Sequence, residues 1–107
     1  MTYASVSDVK WWLKHPQDDN NLDEEIAETL RTVEAEINDA LSQYFELPVT
    51  GEAILELLAD IAAQWAAGLI RQRRRPESFG EEDVYVQVAR QRLERLIERR
   101  SRFLELA

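Results

Sequence analysis

The sequence predicts an all-α, single-domain bundle of about four helices over residues 1–107, with a long second helix and an Arg-rich C-terminal helix. Three observations carry this expectation. Leu22, Ile26, Leu30, Val33, Ile37, Leu41 and Tyr44 recur at spacings of three and four, one continuous stripe at helical period. From Ile54 to Ile70 the apolar positions are denser, and a face that wide predicts burial on more than one side. Period-two alternation is confined to Val84-Tyr85-Val86-Gln87-Val88, where the preceding acids favour a helix start over a strand.

Each element has its own signals. Ser5-x-x-Asp8 reads as a capping box and opens a short helix through Val9, Trp12 and Leu13 to about Lys14. His15-Pro16 ends it, because the residue before a proline is pushed out of the helical region. Gln17-Asp18-Asp19-Asn20 is a polar loop. Asn21 is expected to cap a second helix of about 24 residues, roughly 36 Å long. Asp23, Glu24 and Glu25 lie where its N-terminal dipole favours negative charge. Phe45 and Leu47 are expected to fold back under this helix, and Pro48 to Gly51 turns into the third. That third, central helix breaks in Arg71-Gln72-Arg73-Arg74-Arg75-Pro76. Ser78-x-x-Glu81 then caps a fourth helix with Val84, Val88, Leu93, Leu96, Ile97 and Leu104 as its apolar positions and six Arg elsewhere.

The chain carries 21 Asp+Glu against 13 Lys+Arg, a net charge of -8. This opposes free nucleic-acid binding, which rests on cations releasing the counterions of phosphates. The charge is also polarised: residues 1–60 hold 14 acids and 3 bases, whereas residues 61–107 hold 10 Arg and 7 acids. Opposite signs on two halves suit head-to-tail docking of copies, although solvated helix faces give the same pattern.

With no Cys, thiolate metal sites, disulfides and thiol nucleophiles are excluded. The single histidine, His15, sits in a loop without a second His to share a metal, and no Gly-rich phosphate loop is present. Neither enzymatic activity nor a cofactor is expected. Glu56, Asp60 and Gln64 interrupt the apolar run of residues 54–70, so no membrane span is expected. The first residues lack a signal-peptide pattern, and a soluble cytoplasmic protein is expected.

The sharpest polar feature is the Arg71, Arg73, Arg74, Arg75 cluster. It reads either as a phosphate-contacting patch or as cations answering a helix C-terminus and pairing with the acidic half of a neighbouring subunit, and the second reading is favoured. Trp11 and Trp12 are adjacent and cannot both face one core, so one packs inward and the other is a candidate interface anchor. Trp65 belongs to the core. Glu24, Glu28, Glu34 and Asp39 lie off the apolar stripe of the second helix.

Several stretches together resemble a known family: Thr2-Tyr3-Ala4-x-x-x-Asp8-Val9, Ile37-x-x-Ala40-Leu41-x-x-Tyr44-Phe45-x-Leu47-Pro48, Asp60-Ile61-Ala62, and the Arg-rich last helix. The pattern is similar to the small head-tail connector (adaptor or head-completion) proteins of tailed phages and Mu-like prophages. The chain departs from that pattern at Gln43, where the family often has Arg, and at Arg99-Arg100, where a Gly is frequent. The resemblance implies a structural virion protein, assembled in the host cytoplasm, whose copies form a ring, dodecameric on the portal. That ring extends the DNA channel and offers an attachment surface to tail or stopper proteins, with DNA only as passing cargo. On this reading Trp11, Trp12, Arg71, Arg73, Arg74, Arg75, Arg99, Arg100 and Arg102 are expected at subunit or portal interfaces. Glu24, Glu28, Glu34 and Asp39 are expected along the channel. The runner-up is a small helical regulatory or nucleic-acid-associated protein that binds through the Arg cluster.

Overall fold

The computed structural model describes residues 3–44, 51–75 and 81–106, with side chains as far as Arg99. Four helices follow one another: α1 (Val6–Leu13), α2 (Asp23–Leu41), α3 (Glu52–Arg73) and α4 (Val84–Leu106). No strand occurs among the described residues. The expected turn at 48–51, the fold-back of Phe45 and Leu47, the stop at Pro76 and the cap at Ser78 fall wholly or mainly outside them.

α1 starts where the sequence puts it. Ser5 Oγ accepts from the Asp8 amide at 3.2 Å while the Ser5 amide donates to Asp8 Oδ2 at 2.9 Å, so each residue satisfies an amide the helix end would leave bare. Lys14 closes the helix in the left-handed region, φ 56° and ψ 38°, its amide turned back to the Lys10 and Trp11 carbonyls. On this short helix Lys10 is buried, its Nζ donating to the Gln17 carbonyl at 3.1 Å and meeting Asp23 Oδ1 at 2.8 Å. One cation thus ties α1, the polar loop and the first turn of α2.

α2 is shorter than the periodicity suggested, 19 residues instead of about 24. Leu22, not Asn21, occupies the N-cap position and offers no side-chain acceptor. The Asn21 amide instead donates to Asp19 Oδ1 at 3.0 Å, a local turn that competes with helix extension. Asp23, Glu24 and Glu25 then supply the negative charge that the uncapped amides favour. The stripe is as expected where it matters: Ile26, Leu30, Val33, Ile37 and Leu41 are all buried.

α3 is the axis of the bundle. From Ile61 to Ile70 it is buried nearly all round, and α1, α2 and α4 all pack on it. Among the described residues it is also the one helix long and apolar enough to cross a bilayer by length and composition, which corrects the expectation that its polar residues interrupt it too often. Enclosure by the other three helices accounts for that apolarity.

α4 runs antiparallel to α3, with Tyr85 and Val86 against Gly68 and Arg92 against Asp60 and Gln64. Its buried line is Val86, Ala89 and Leu93, continued by the partly buried Leu96 and Ile97. Val84 and Val88, expected inside, are 56% and 36% exposed. The helix start is capped by Asp83, whose Oδ1 accepts from the Tyr85 amide at 2.9 Å and whose carbonyl accepts from the Gln87 amide at 3.1 Å. The long helices give a molecule of 47 × 29 × 18 Å.

The close approach of α3 and α4 depends on Gly68. A Cβ there would lie 2.7 Å from Val86 Cγ2, 2.8 Å from the Val86 amide nitrogen and 2.9 Å from Tyr85 Cβ. The backbone nitrogen has no rotamer through which to yield. Gly68→Ala gains about 1 kcal/mol of helix propensity but incurs an overpacking cost of about 1–3 kcal/mol. The expected net result is a stability lower by up to about 2 kcal/mol, read from urea unfolding. A more stable Gly68→Ala protein would contradict the close packing.

Candidate interaction surfaces

The arginines at the end of α3 are answered by acids of their own chain. Arg71 Nε lies 3.4 Å and Arg75 Nη2 2.6 Å from Asp83 Oδ2, a carboxylate whose side chain is 1% exposed. Arg73 Nη2 donates to Thr29 Oγ1 at 2.6 Å and its Nη1 lies 3.4 Å from Glu25 Oε1, while Arg74 Nη2 meets Glu25 Oε2 at 2.8 Å. The Arg71 guanidinium also stacks 4.0 Å from the centre of the Tyr85 ring. The acids expected on a neighbouring subunit are therefore found within the chain, on α2 and at the start of α4. Within the chain, this charge binds the C-terminus of α3 to its neighbours. Arg73 and Arg74 nonetheless keep about half their side-chain surface in solvent.

Asp83 is the residue sequence reasoning missed. It caps α4, receives two guanidinium groups, and donates its own amide to Gln72 Oε1 at 2.9 Å. The available signal was an acid immediately before the first apolar residue of α4, the usual place of a cap. Similar pairing continues along α4. Arg92 donates to Asp60 Oδ2 at 2.7 Å and Gln64 Oε1 at 2.8 Å, and Arg90 reaches Glu82 at 2.6 Å and lies over the Trp65 ring. Arg99 is exposed, and the side chains of Arg100 and Arg102 lie outside the described residues.

The two tryptophans of α1 divide as expected. Trp12 turns inward, edge-to-face with Tyr85 at 5.3 Å, whereas Trp11 is 68% exposed and leans edge-on against Trp12 at 5.3 Å. They line a groove of about 360 Å³ with Asp8, Glu56, Ala59 and Asp60.

Of the four acids expected along a channel, Glu24, Glu28 and Asp39 are exposed on α2, but Glu34 is 5% exposed. The Ala4 amide donates to Glu34 Oε1 at 3.2 Å, and the Tyr3 hydroxyl donates to Asn38 Oδ1 one turn further on, so this stretch of α2 anchors the segment before α1. Burial first, and the Glu34 carboxylate second, hold the Tyr3 phenol above its ordinary 10.0. Glu34 is thus an interior acceptor and not part of an acidic outer face.

Two further grooves carry polar side chains. One of about 610 Å³ is lined by Ala4, Ala27, Arg31, Glu34 and Asn38, and one of about 480 Å³ by His15, Asp19, Arg71, Arg74 and Arg75. His15 Nε2 lies 3.3 Å from Asp19 Oδ2 in the second groove. Among the described residues no group of three or more His, Asp or Glu is placed to hold a metal ion. Glu34 in the first groove and His15, Asp19, Arg71, Arg74 and Arg75 in the second face partners within the fold, an arrangement that binds helices together. The chain matches no protein-family model, no curated protein and no solved structure.

The two roles of Asp83 are separable by substitution. Asn caps a helix as well as Asp does, whereas Ala removes both cap and charge. Asp83→Ala is expected to lower the unfolding free energy by about 2–3 kcal/mol, the sum of a lost cap and a lost charge-assisted bond, and Asp83→Asn by about half of that. Chemical denaturation measures both. Equal losses for the two variants would show that the cap contributes nothing.

Proposed function

We infer that this chain is a structural assembly protein of the head-tail connector type. In this role its copies form a ring below the portal of a filled head, extend the DNA channel and present an attachment surface to tail or stopper proteins. The observation that carries the reading is the ordered set of motifs at residues 2–9, 37–48 and 60–62, followed by an Arg-bearing last helix. Physical support comes from where the described motif residues fall. Asp8 closes the cap of α1, Val9, Ile37, Leu41, Ile61 and Ala62 are fully buried, and Tyr3 reaches across to Asn38. The pattern is thus a folding pattern, and likeness in it bears on the whole helical arrangement and not on one surface loop.

A conduit protein has no need of convergent catalytic groups; it needs surfaces that bind protein and a lumen that does not hold DNA. The exposed acids Glu24, Glu28 and Asp39 form such a lumen face on α2, since like charge prevents phosphates from adhering. Binding of nucleic acid through Arg71 to Arg75 is the weaker reading, because Glu25 and Asp83 already pair with those side chains and offset part of their charge.

Electron microscopy of the purified protein at high concentration, alone and with a portal ring, is the test. The expected result is closed rings with a central opening wide enough for duplex DNA and no measurable affinity for it at physiological salt. A chain that stays dispersed in both conditions and binds duplex tightly, with Arg73→Glu and Arg74→Glu abolishing that binding, would overturn the reading.

A further inference from the structure

The groove between α1 and α3 carries charge that the fold does not use. Asp8 is occupied with the cap of α1 and Asp60 with Arg92, but Glu56 makes no hydrogen bond or ion pair among the described residues. Over these carboxylates stands Trp11, the most exposed large apolar side chain of the described residues, at 68%. Its ring is steadied edge-on by Trp12, which is itself packed on Tyr85. A held indole face beside free carboxylate oxygens is a receptor for guanidinium. The ring quadrupole attracts the cation, and the carboxylate accepts its N–H groups in the plane.

The complementary element lies on α4. Arg95 and Arg99 are exposed, stand one helical turn apart, and have no partner among the described residues. Glu56 and Asp60 stand one turn apart on α3, and Asp60 engages Arg92 through Oδ2 alone, so two guanidinium groups on one helix match Glu56 and the remaining Asp60 oxygen at the same rise, about 6 Å. Within the chain, α4 reaches Asp60 through Arg92 and leaves Arg95 and Arg99 in solvent.

We propose that the Trp11–Glu56–Asp60 groove receives the Arg95–Arg99 face of α4 from a second copy of this chain. The donor and acceptor surfaces differ, so the contact is heterologous. Each bound pair leaves one groove and one arginine face open, and addition continues until a rotation closes it. Opposite net charges on residues 1–60 and 61–107 steer the encounter in this sense. The contact names the subunit interface of the proposed ring and rests on that reading for its setting, but it stands or falls by self-association alone.

Sedimentation velocity from micromolar to near-millimolar protein, at low and high salt, reads it directly. The wild type is expected to associate with concentration, and less so at high salt. Trp11→Ala and the double variant Arg95→Glu/Arg99→Glu should each weaken association at least about tenfold, the size of a central interface contact. Circular dichroism and urea midpoints should stay unchanged, because all three side chains are exposed. Mixing the two variants is the sharper arm. One keeps an intact arginine face and the other an intact groove, so the mixture should form a one-to-one complex and nothing larger.

A wild type that remains monomeric at every concentration in low salt overturns the proposal, as do variants that associate like the wild type or a mixture that forms no complex. Rings that persist in both variants would sink this contact while leaving the connector reading intact. Association that follows the expected variant pattern without ever giving a ring would do the reverse.

Discussion

Helices α3 and α4 approach so closely at Gly68 that the amide nitrogen of Val86 would lie within 2.8 Å of any Cβ placed there. A contact that tight fixes more than one pair of residues. It sets the rotation of α4 about its own axis, so that Val86, Ala89 and Leu93 enter the core while Val84 and Val88 stay outside. It brings the first turn of α4 beside the last turn of α3, where Asp83 meets Arg71 and Arg75. It also lets Arg92 reach Asp60 and Gln64 two turns further along. The charged network is therefore a consequence of apolar packing and not its cause. Partly exposed ion pairs contribute about 0–1 kcal/mol each, whereas burying the side chains of one such helix contributes several times that.

The same arrangement explains how a chain with net charge -8 holds a cluster of arginines against acids of its own. Seven of the arginines and lysines described have carboxylate partners within 4 Å, drawn from α2, α3 and the approach to α4. Among the charges left without a partner are Glu56, with Trp11 above it, on one side and Arg95 and Arg99 on another. Residual charges of opposite sign on different faces are the kind of surface through which copies of one chain add to each other, and the structural role proposed above uses them so.

Features governed by neighbouring residues were legible in the sequence. The Ser5–Asp8 capping box, the stripe of α2, the central position of α3 and the inward placement of one α1 tryptophan all depend on spacings within a few turns. Features governed by tertiary contact were not. Lys10 is buried because Asp23 and the Gln17 carbonyl lie across from it, partners that no local spacing announces. Glu34 sits beside the apolar stripe of α2 and would face solvent in an isolated helix, but the segment before α1 covers it. In α4 Leu93, Leu96 and Ile97 face the core as expected, but the first two turns were misplaced by about half a turn, because Val84 and Val88 suit a helix periodicity as well as Val86 and Ala89 do, and the approach to Gly68 decides between them. The start of α2 was placed too early for a related reason: Asn21 is a good cap, but its amide is drawn to Asp19. The interaction surfaces were half legible, since the arginine cluster was visible but its intramolecular partners were far away in sequence.

The claim that α3, held against α4 at Gly68, is the element on which the other helices depend has a direct measurement in native-state hydrogen exchange. Amides from Ile61 to Ile70 have no route to solvent other than global unfolding if the account is right. They should then be the slowest in the protein, with opening free energies equal to the unfolding free energy from denaturant, and those of α1 and the ends of α2 should open below it. Exchange of the α3 amides through a local opening, with α2 remaining protected, would show that the bundle is organised around a different helix and would contradict the account.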